Sequence, residues 1–142
     1  MRFFESLNLL KSAYAICIRP VCEQNKLTRM EFDVLMFLAN HPYYDTATDI
    51  VMVRRLTKSH VSVALKQLAA RGLLEPYYQK GNRKTIHLRL LPAADPILQS
   101  GQQAQEKFGE ILFDGFSKEE FTLCQTFFAR VCAHAQALMK EE

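Results

Sequence analysis

The spacing of the apolar residues departs from the helical repeat in one segment of this chain, and that departure limits the folds it can adopt. Before Gly72 apolar residues recur with helical spacing, as at Ala64 and Leu68. From Thr85 to Leu90 they alternate with polar residues, as at Leu88 and Leu90. Helical spacing buries one face of a helix, and strict alternation is typical of a strand. The sequence therefore predicts a mainly α protein with one small β-hairpin.

Capping residues predict where the helices begin. A Ser or Thr followed three residues later by an acid forms a capping box, and the chain has three such pairs: Thr28/Glu31, Thr46/Asp49 and Ser117/Glu120. Two further helices are predicted from about Lys58 to Arg71, with Thr57 as N-cap, and from Asp95, as N-cap before Pro96, to about Asp114. The first helix should run from Phe3 to about Cys22, with Pro20 stopping or kinking it near its end.

The positive charge of the chain is concentrated in its middle. Residues 54–89 contain nine Lys or Arg and a single acid, Glu75, whereas the remainder has nine basic and fourteen acidic residues. The predicted strands, Leu74 to Gln79 and Thr85 to Leu90, enclose the basic turn KGNRK at 80–84. A basic segment in an otherwise acidic chain is typical of a nucleic-acid-binding module. A solvated basic face without a partner is the alternative.

The predicted order is a short helix, a tight turn, a helix with one polar face and a basic hairpin, which is a winged helix-turn-helix. In this fold the N-terminal part of the second helix reaches base edges, while the hairpin places cations on phosphates or in the minor groove. The candidate DNA contacts on the helices are Thr46, Thr48, Lys58, Ser59, His60, Ser62, Val63 and Lys66. Those on the hairpin are Lys80, Asn82, Arg83 and Lys84.

The sequence resembles the multiple antibiotic resistance regulator (MarR) family of transcription factors along nearly its whole length. The resemblance is strongest at residues 46–51 (TATDIV), 56–62 (LTKSHVS) and 71–74 (RGLL). The wing motif of the family has an Asp, one residue, an Arg and then alternating apolar residues. Here Asn82 replaces the Asp and Lys84 replaces the Arg, with Arg83 adjacent. Lys lacks the planar guanidinium of Arg. We therefore expect Arg83, and not Lys84, to insert into the minor groove.

The resemblance implies a sequence-specific transcriptional regulator, generally a repressor, that binds a pseudo-palindromic operator as a homodimer. It implies one domain over 1–142, with a DNA-binding part at about 28–91 and dimerisation helices at about 1–22 and 95–140. Many relatives release DNA when a small aromatic or phenolic ligand binds. Apolar residues in excess of one small core, among them Phe113, Phe116, Phe127 and Phe128, agree with a dimer. No apolar run is long enough to span a membrane and no signal peptide is evident, so a cytoplasmic protein is expected.

Two other readings are compatible with the sequence. One is a winged-helix protein-interaction module that no longer reads DNA, which Pro76, Asn82 and Lys84 favour. The other is a redox regulator switched at Cys17 or Cys22, although their apolar neighbours favour packed thiols. No GxSxG, HExxH or phosphate-binding glycine loop is present, so an enzyme is not expected. No metal site or cofactor is expected either.

Overall fold

Six α-helices and one β-hairpin form the chain in this computed structural model, which describes residues 2–140. The helices are α1 (Phe3–Gln24), α2 (Arg29–Asn40), α3 (Ala47–Arg54), α4 (Lys58–Ala70), α5 (Asp95–Leu112) and α6 (Lys118–Met139). The strands β1 (Leu74–Tyr77) and β2 (His87–Leu90) lie between α4 and α5, and a short 3₁₀ turn (Pro92–Ala94) precedes α5. The predicted fold class, mainly helical with a hairpin wing, is confirmed.

The helix starts follow the capping residues. All three predicted capping boxes form; in the first, the Thr28 hydroxyl accepts from the Glu31 amide at 3.1 Å and the Glu31 carboxylate accepts from the Thr28 amide at 2.7 Å. Thr57 occupies the N-cap of α4, but its side chain makes no capping bond. Asp95 is the first residue of α5 rather than its cap, because the 3₁₀ turn already leads into the helix.

Pro20 was predicted to stop or kink the first helix, and the first of these alternatives is wrong. Helix α1 continues through Pro20 to Gln24. A proline removes one amide, which here would have bonded to the carbonyl of Ile16. Both residues lie on the exposed side of α1, so water can satisfy that carbonyl.

The chain divides into two compact units, Met1–Lys107 and Phe108–Glu142. The core lies in the first unit and is centred on α2. Six of the seven positions from 32 to 38 are buried there: Phe32, Val34, Leu35, Met36, Phe37 and Leu38. Ile50 of α3 and Leu68 of α4 pack into the same cluster. In the second unit Phe113 makes edge-on contacts with Phe116 and Phe121, at centroid distances of 5.3 and 4.7 Å.

Helix α5 approaches α2 closely at Gly101. A Cβ atom at this position would lie 2.5 Å from Met36 Sδ and 3.1 Å from Phe32 Cε1. We expect Gly101→Val to lower the free energy of unfolding by about 1–3 kcal/mol through overpacking. Gly109→Val is the matched control, because a Cβ at Gly109 of the same helix meets nothing within 4 Å. Urea unfolding measures both variants, and an equal effect of the two would contradict the close approach.

The hairpin is shorter than predicted. Its antiparallel register pairs Leu74 with Leu90 and Tyr77 with His87. Ile86, predicted to occupy an apolar place in the strand, lies outside β2 and is 48% exposed. A third segment, which was not predicted from the sequence, pairs with β2 at His87 and Leu88. Thr46 forms an antiparallel bridge with His87, and the Leu88 amide donates to the Asp45 carbonyl at 2.7 Å.

Candidate nucleic-acid interface

Helix α4 buries one side and leaves the predicted recognition side open. Val61, Ala64 and Leu68 are buried, with Leu65 half-buried beside them. The side chains proposed to read DNA are all exposed: Lys58, Ser59, His60, Ser62, Val63 and Lys66. Val63 is the one apolar member, and it is 59% exposed. An exposed row of short polar side chains early on a helix can hydrogen-bond base edges in a major groove.

A tight turn joins α3 to α4. Arg55, the C-cap of α3, has φ 56° and ψ 43°, and its amide donates to the Val51 carbonyl. This left-handed residue ends α3 and allows the chain to enter α4 three residues later. At the other end of α3, the Thr46 hydroxyl accepts from the Asp49 amide at 3.0 Å. Thr46 thus acts as an N-cap, and Thr48 is exposed.

The basic wing tip is an organised turn. The Asn82 side-chain oxygen accepts from the Lys84 amide at 2.9 Å and from the Thr85 amide at 3.4 Å. Gly81 precedes it with φ +79°. The Asn82 side chain therefore stabilises the turn at the hairpin tip. The Arg83 guanidinium lies 5.9 Å from the centre of the Tyr78 ring, and Lys80 and Lys84 project into solvent.

Three of the nine basic side chains in residues 54–89 are used within the fold. Arg54 pairs with Asp33 at 3.5 Å, and Arg89 pairs with Glu75 at 3.1 Å and covers the Tyr77 ring at 4.2 Å. Arg71 donates to the carbonyls of two residues at the end of α1, at 2.7 and 3.1 Å. The charge count from the sequence therefore overstated the number of basic side chains that are available to a partner. Five of the others have no ion pair or side-chain hydrogen bond within residues 2–140: Arg55, Lys58, Lys66, Lys80 and Lys84.

A carboxylate fastens the wing to the start of α3. Asp45 accepts from Tyr77 Oη at 2.5 Å and from His87 Nδ1 at 2.6 Å, so both strands bond to it. The rings of Tyr77 and His87 lie 5.3 Å apart. This group could not be predicted from the sequence, because its three members are far apart in the chain. The available signal was His87, which lies between Ile86 and Leu88 in the predicted strand.

Protonation of Asp45 should weaken this attachment. Burial acts to raise the pKa of Asp45, but hydrogen bonds from Tyr77 and His87 and the charge of His87 outweigh it and lower the pKa below its ordinary 3.8. The carboxylate correspondingly raises the pKa of Tyr77 through their hydrogen bond. A lowered carboxyl pKa stabilises the fold above the unfolded-state pKa, and this stability is lost as the pH falls through the folded-state pKa.

We expect Asp45→Asn to cost about 1–3 kcal/mol at neutral pH, the usual cost of losing hydrogen bonds to a charged group. The difference from the parent should shrink as the pH falls below 3.8. Asp114→Asn is the control, since Asp114 is exposed and its carboxylate makes no bond within the part of the chain described. Urea unfolding at a series of pH values measures the effect. A cost that does not change with pH would contradict the role assigned to the Asp45 charge.

Among the grooves beside α4, two border α3 and the hairpin. One, of about 250 Å³, lies between α3 and α4 and is lined by Ala47, Thr48, Val51, Lys58, Val61, Ser62 and Leu65. The other, also about 250 Å³, lies between α4 and the hairpin, with Lys66, Pro76 and Ile86 among its lining residues. Ser62 and Leu65 line both. Each volume is below the roughly 300–1,000 Å³ of drug-sized pockets and suits a single aromatic ring.

The cysteines are unpaired among the described residues. Cys17 and Cys22 are half-buried, whereas Cys124 and Cys132 are exposed and not packed within the chain. Burial raises the pKa of Cys22 despite the opposing charge of Arg29. A raised pKa lowers the thiolate fraction, which disfavours a peroxide-sensing role for this thiol. Within residues 2–140 no three His, Cys, Asp or Glu side chains are grouped as metal ligands would be.

Helices α2 to α4 followed by an antiparallel hairpin define the winged helix-turn-helix class of proteins. Residues 25–81 match the model of the MarR family. The resemblance that the sequence predicted is thereby confirmed over this segment. The family consists of transcriptional regulators and not enzymes, as predicted. No curated protein sequence matches the chain.

Solved structures with the same fold cover nearly the whole chain. A putative MarR-family regulator from Listeria monocytogenes, in complex with a 26mer DNA, superposes with a TM-score of 0.80 at 15% identity and covers 94% of this chain and 89% of its own. MepR of S. aureus, also with DNA, gives 0.78 at 16%, covering 94% and 98%. BpsR of Bordetella bronchiseptica, whose DNA binding is regulated by 6-hydroxynicotinic acid, gives 0.63 at 20%, covering 90% and 98%.

Proposed function

We propose that this protein is a homodimeric, sequence-specific DNA-binding transcriptional regulator, acting as a repressor. The observation that carries the proposal is the pairing of an exposed polar side of α4 with an exposed basic hairpin tip. The groove lined by both α4 and the hairpin places these elements side by side. Such an arrangement suits a helix in the major groove with cations on the flanking backbone. Two solved neighbours of this fold hold DNA.

Specificity and affinity should come from different residues. On α4, Ser59, His60 and Ser62 carry short hydrogen-bonding groups, and we assign base contacts to them. Lys58 and Lys66 on the same helix, and Lys80, Arg83 and Lys84 on the wing, supply long cations for phosphates or the minor groove. Thr48 and Val63 complete the candidate surface, the latter through contact with a thymine methyl group. Thr46 and Asn82 contribute by shaping the local backbone, through their bonds to Asp49 and Lys84.

A dimer is required for a pseudo-palindromic operator. The second unit offers the surface for one: α6 leaves large apolar side chains uncovered, including Leu123, Phe127, Phe128, Val131 and Leu138. Helix α1 likewise exposes Phe3, Phe4 and Leu9. Monomeric proteins rarely expose apolar surface on this scale. We assign both surfaces to contact with a second copy of the chain.

A small aromatic or phenolic ligand is proposed to regulate DNA affinity. Either groove beside α4 is large enough for one ring, and a ligand there would contact the helix proposed to read DNA. The regulation of BpsR by 6-hydroxynicotinic acid, a hydroxylated aromatic acid, is a precedent in a protein of the same fold. A panel of such compounds, tested for release of bound DNA, identifies the class. No described helix is long and apolar enough to cross a membrane, and we place the protein in the cytoplasm with its DNA.

The test is selection of bound duplexes from a random pool by the purified chain, followed by titration of the selected duplex at several salt concentrations. We expect an inverted repeat with half-sites one helical turn apart, about 10 base pairs between centres. Affinity should fall steeply with salt, because each neutralised phosphate releases counterions. A scrambled duplex of the same composition is the control. No enrichment together with a flat salt response would support the protein-interaction module instead.

A further inference from the structure

Arg55 stands out among the cations without a partner, because its backbone conformation is one that side chains rarely adopt. Its φ of 56° places it in the left-handed region. The turn from α3 to α4 requires this conformation, since the Arg55 and Leu56 amides both donate to the Val51 carbonyl. Glycine adopts such a conformation without cost, whereas a residue with a Cβ does not. The fold therefore accounts for the turn but not for an arginine in it.

Among residues 2–140, one other residue with a side chain is left-handed, and its conformation has a local explanation. Lys26, with φ 52°, follows α1, and its carbonyl accepts from Arg71 Nη1 at 3.1 Å. Arg71 thereby ties that turn to α4. Nothing comparable involves the Arg55 side chain, which is exposed and makes no ion pair or side-chain hydrogen bond with any residue from 2 to 140. Its neighbour Arg54, by contrast, is paired with Asp33, whose side chain is only 11% exposed.

The position of Arg55 is next to the surface proposed to bind DNA. It precedes Thr57, the N-cap of α4, by two residues, and Ser59 and His60 lie in the first turn of that helix. The first turn of α4 contains no acid that could neutralise it. An element that leads into a recognition helix runs beside the phosphate backbone when the start of that helix enters the major groove.

We propose that Arg55 is a phosphate-contacting residue, additional to the candidates on α4 and the wing, and that its side chain supplies affinity without sequence preference. This inference rests on the proposed function. An exposed cation in an unfavourable backbone conformation is expected where the side chain has a task in binding. The contact adds one neutralised phosphate per half-site, and hence two per dimer.

Arg55→Gly tests the proposal, with Lys26→Gly as the matched control. Both substitutions place glycine at a left-handed position, so neither should lower the melting temperature through strain. Each variant is titrated against the selected operator and against a random duplex of about 30 base pairs, long enough for two half-sites one turn apart. For Arg55→Gly we expect weaker binding to both duplexes by a similar factor. The slope of log affinity against log salt should fall by about two per dimer.

The control variant should keep the slope of the parent, and Arg55→Lys should restore most of it because it retains the charge. Equal slopes for Arg55→Gly and Lys26→Gly would overturn the proposal. A lower affinity of Arg55→Gly for the operator alone, with unchanged affinity for the random duplex, would also overturn it, since that result assigns Arg55 to base reading. If the parent itself binds neither duplex in a salt-dependent way, the proposed function fails, and this outcome is distinct from a failure of the Arg55 contact.

Discussion

Phe128→Glu on α6 is expected to abolish dimerisation and, with it, nearly all specific DNA binding. Phe128 is 52% exposed and lies on a stripe with Cys124, Val131 and Leu138. Burying a Phe side chain contributes about 1.5–3 kcal/mol, and a two-fold axis doubles the loss. A carboxylate buried in its place adds a desolvation cost. We expect the dimer dissociation constant to rise at least 100-fold.

Thr126→Glu provides the matched control on the same helix. Thr126 lies two residues from Phe128, roughly on the opposite side of α6, and its hydroxyl bonds back to the Thr122 carbonyl at 2.9 Å. The control adds the same charge without touching the apolar stripe, so it should remain dimeric. Sedimentation velocity at micromolar concentration measures the mass. A parent that is already monomeric, or a Phe128→Glu variant that remains dimeric, would exclude α6 as the interface.

Alanine at Ser59, His60 or Ser62 is expected to change which bases the protein prefers. A lost bidentate or direct base contact is typically worth about 1–3 kcal/mol of discrimination. The affinity for the selected operator should therefore drop about 5- to 150-fold, while the affinity for random DNA changes little. Lys84→Ala should instead weaken binding to both and reduce the salt slope, because a long cation on the hairpin tip neutralises phosphate.

Gln67→Ala is the control for the base contacts. Gln67 is exposed on the same side of α4 as His60, two turns further along the helix. A recognition helix reads bases mainly through its N-terminal residues, so this variant should keep the preference of the parent. Competition titrations with duplexes that differ at single positions provide the readout. If neither the α4 variants nor Lys84→Ala altered binding to DNA, these segments would not be a recognition helix and a wing.

The element order could be predicted from the sequence because local signals determine it. The capping boxes at Thr28, Thr46 and Ser117 form as predicted, and Gly72 has the positive φ of 71° expected after a helix. The apolar face of α4 followed from spacing alone. Errors occurred where a residue acted against its usual tendency: Pro20 lies inside a helix, and Asp95 begins one without capping it.

Contacts between distant residues could not be predicted in the same way. The bonds from Tyr77 and His87 to Asp45 span 32 and 42 positions, and that of Arg71 to Asn25 spans 46. Each depends on how elements pack and not on local pattern. The number of cations available to DNA changed for this reason, since pairing of Arg54, Arg71 and Arg89 became visible only in the fold. A charge count from the sequence gives the number of cationic side chains, and packing determines how many of them remain accessible.

The guanidinium of Arg71 couples the position of α4 to that of the turn after α1. Arg71 is the C-cap of α4, and its guanidinium donates to the carbonyls of Asn25 and Lys26, in the turn that follows α1. If this turn shifts, either both hydrogen bonds break or the C-terminal end of α4 moves with it. A net hydrogen bond is worth only about 0.5–1.5 kcal/mol. The two bonds can therefore transmit a small displacement of the turn to α4, whereas a large displacement breaks them.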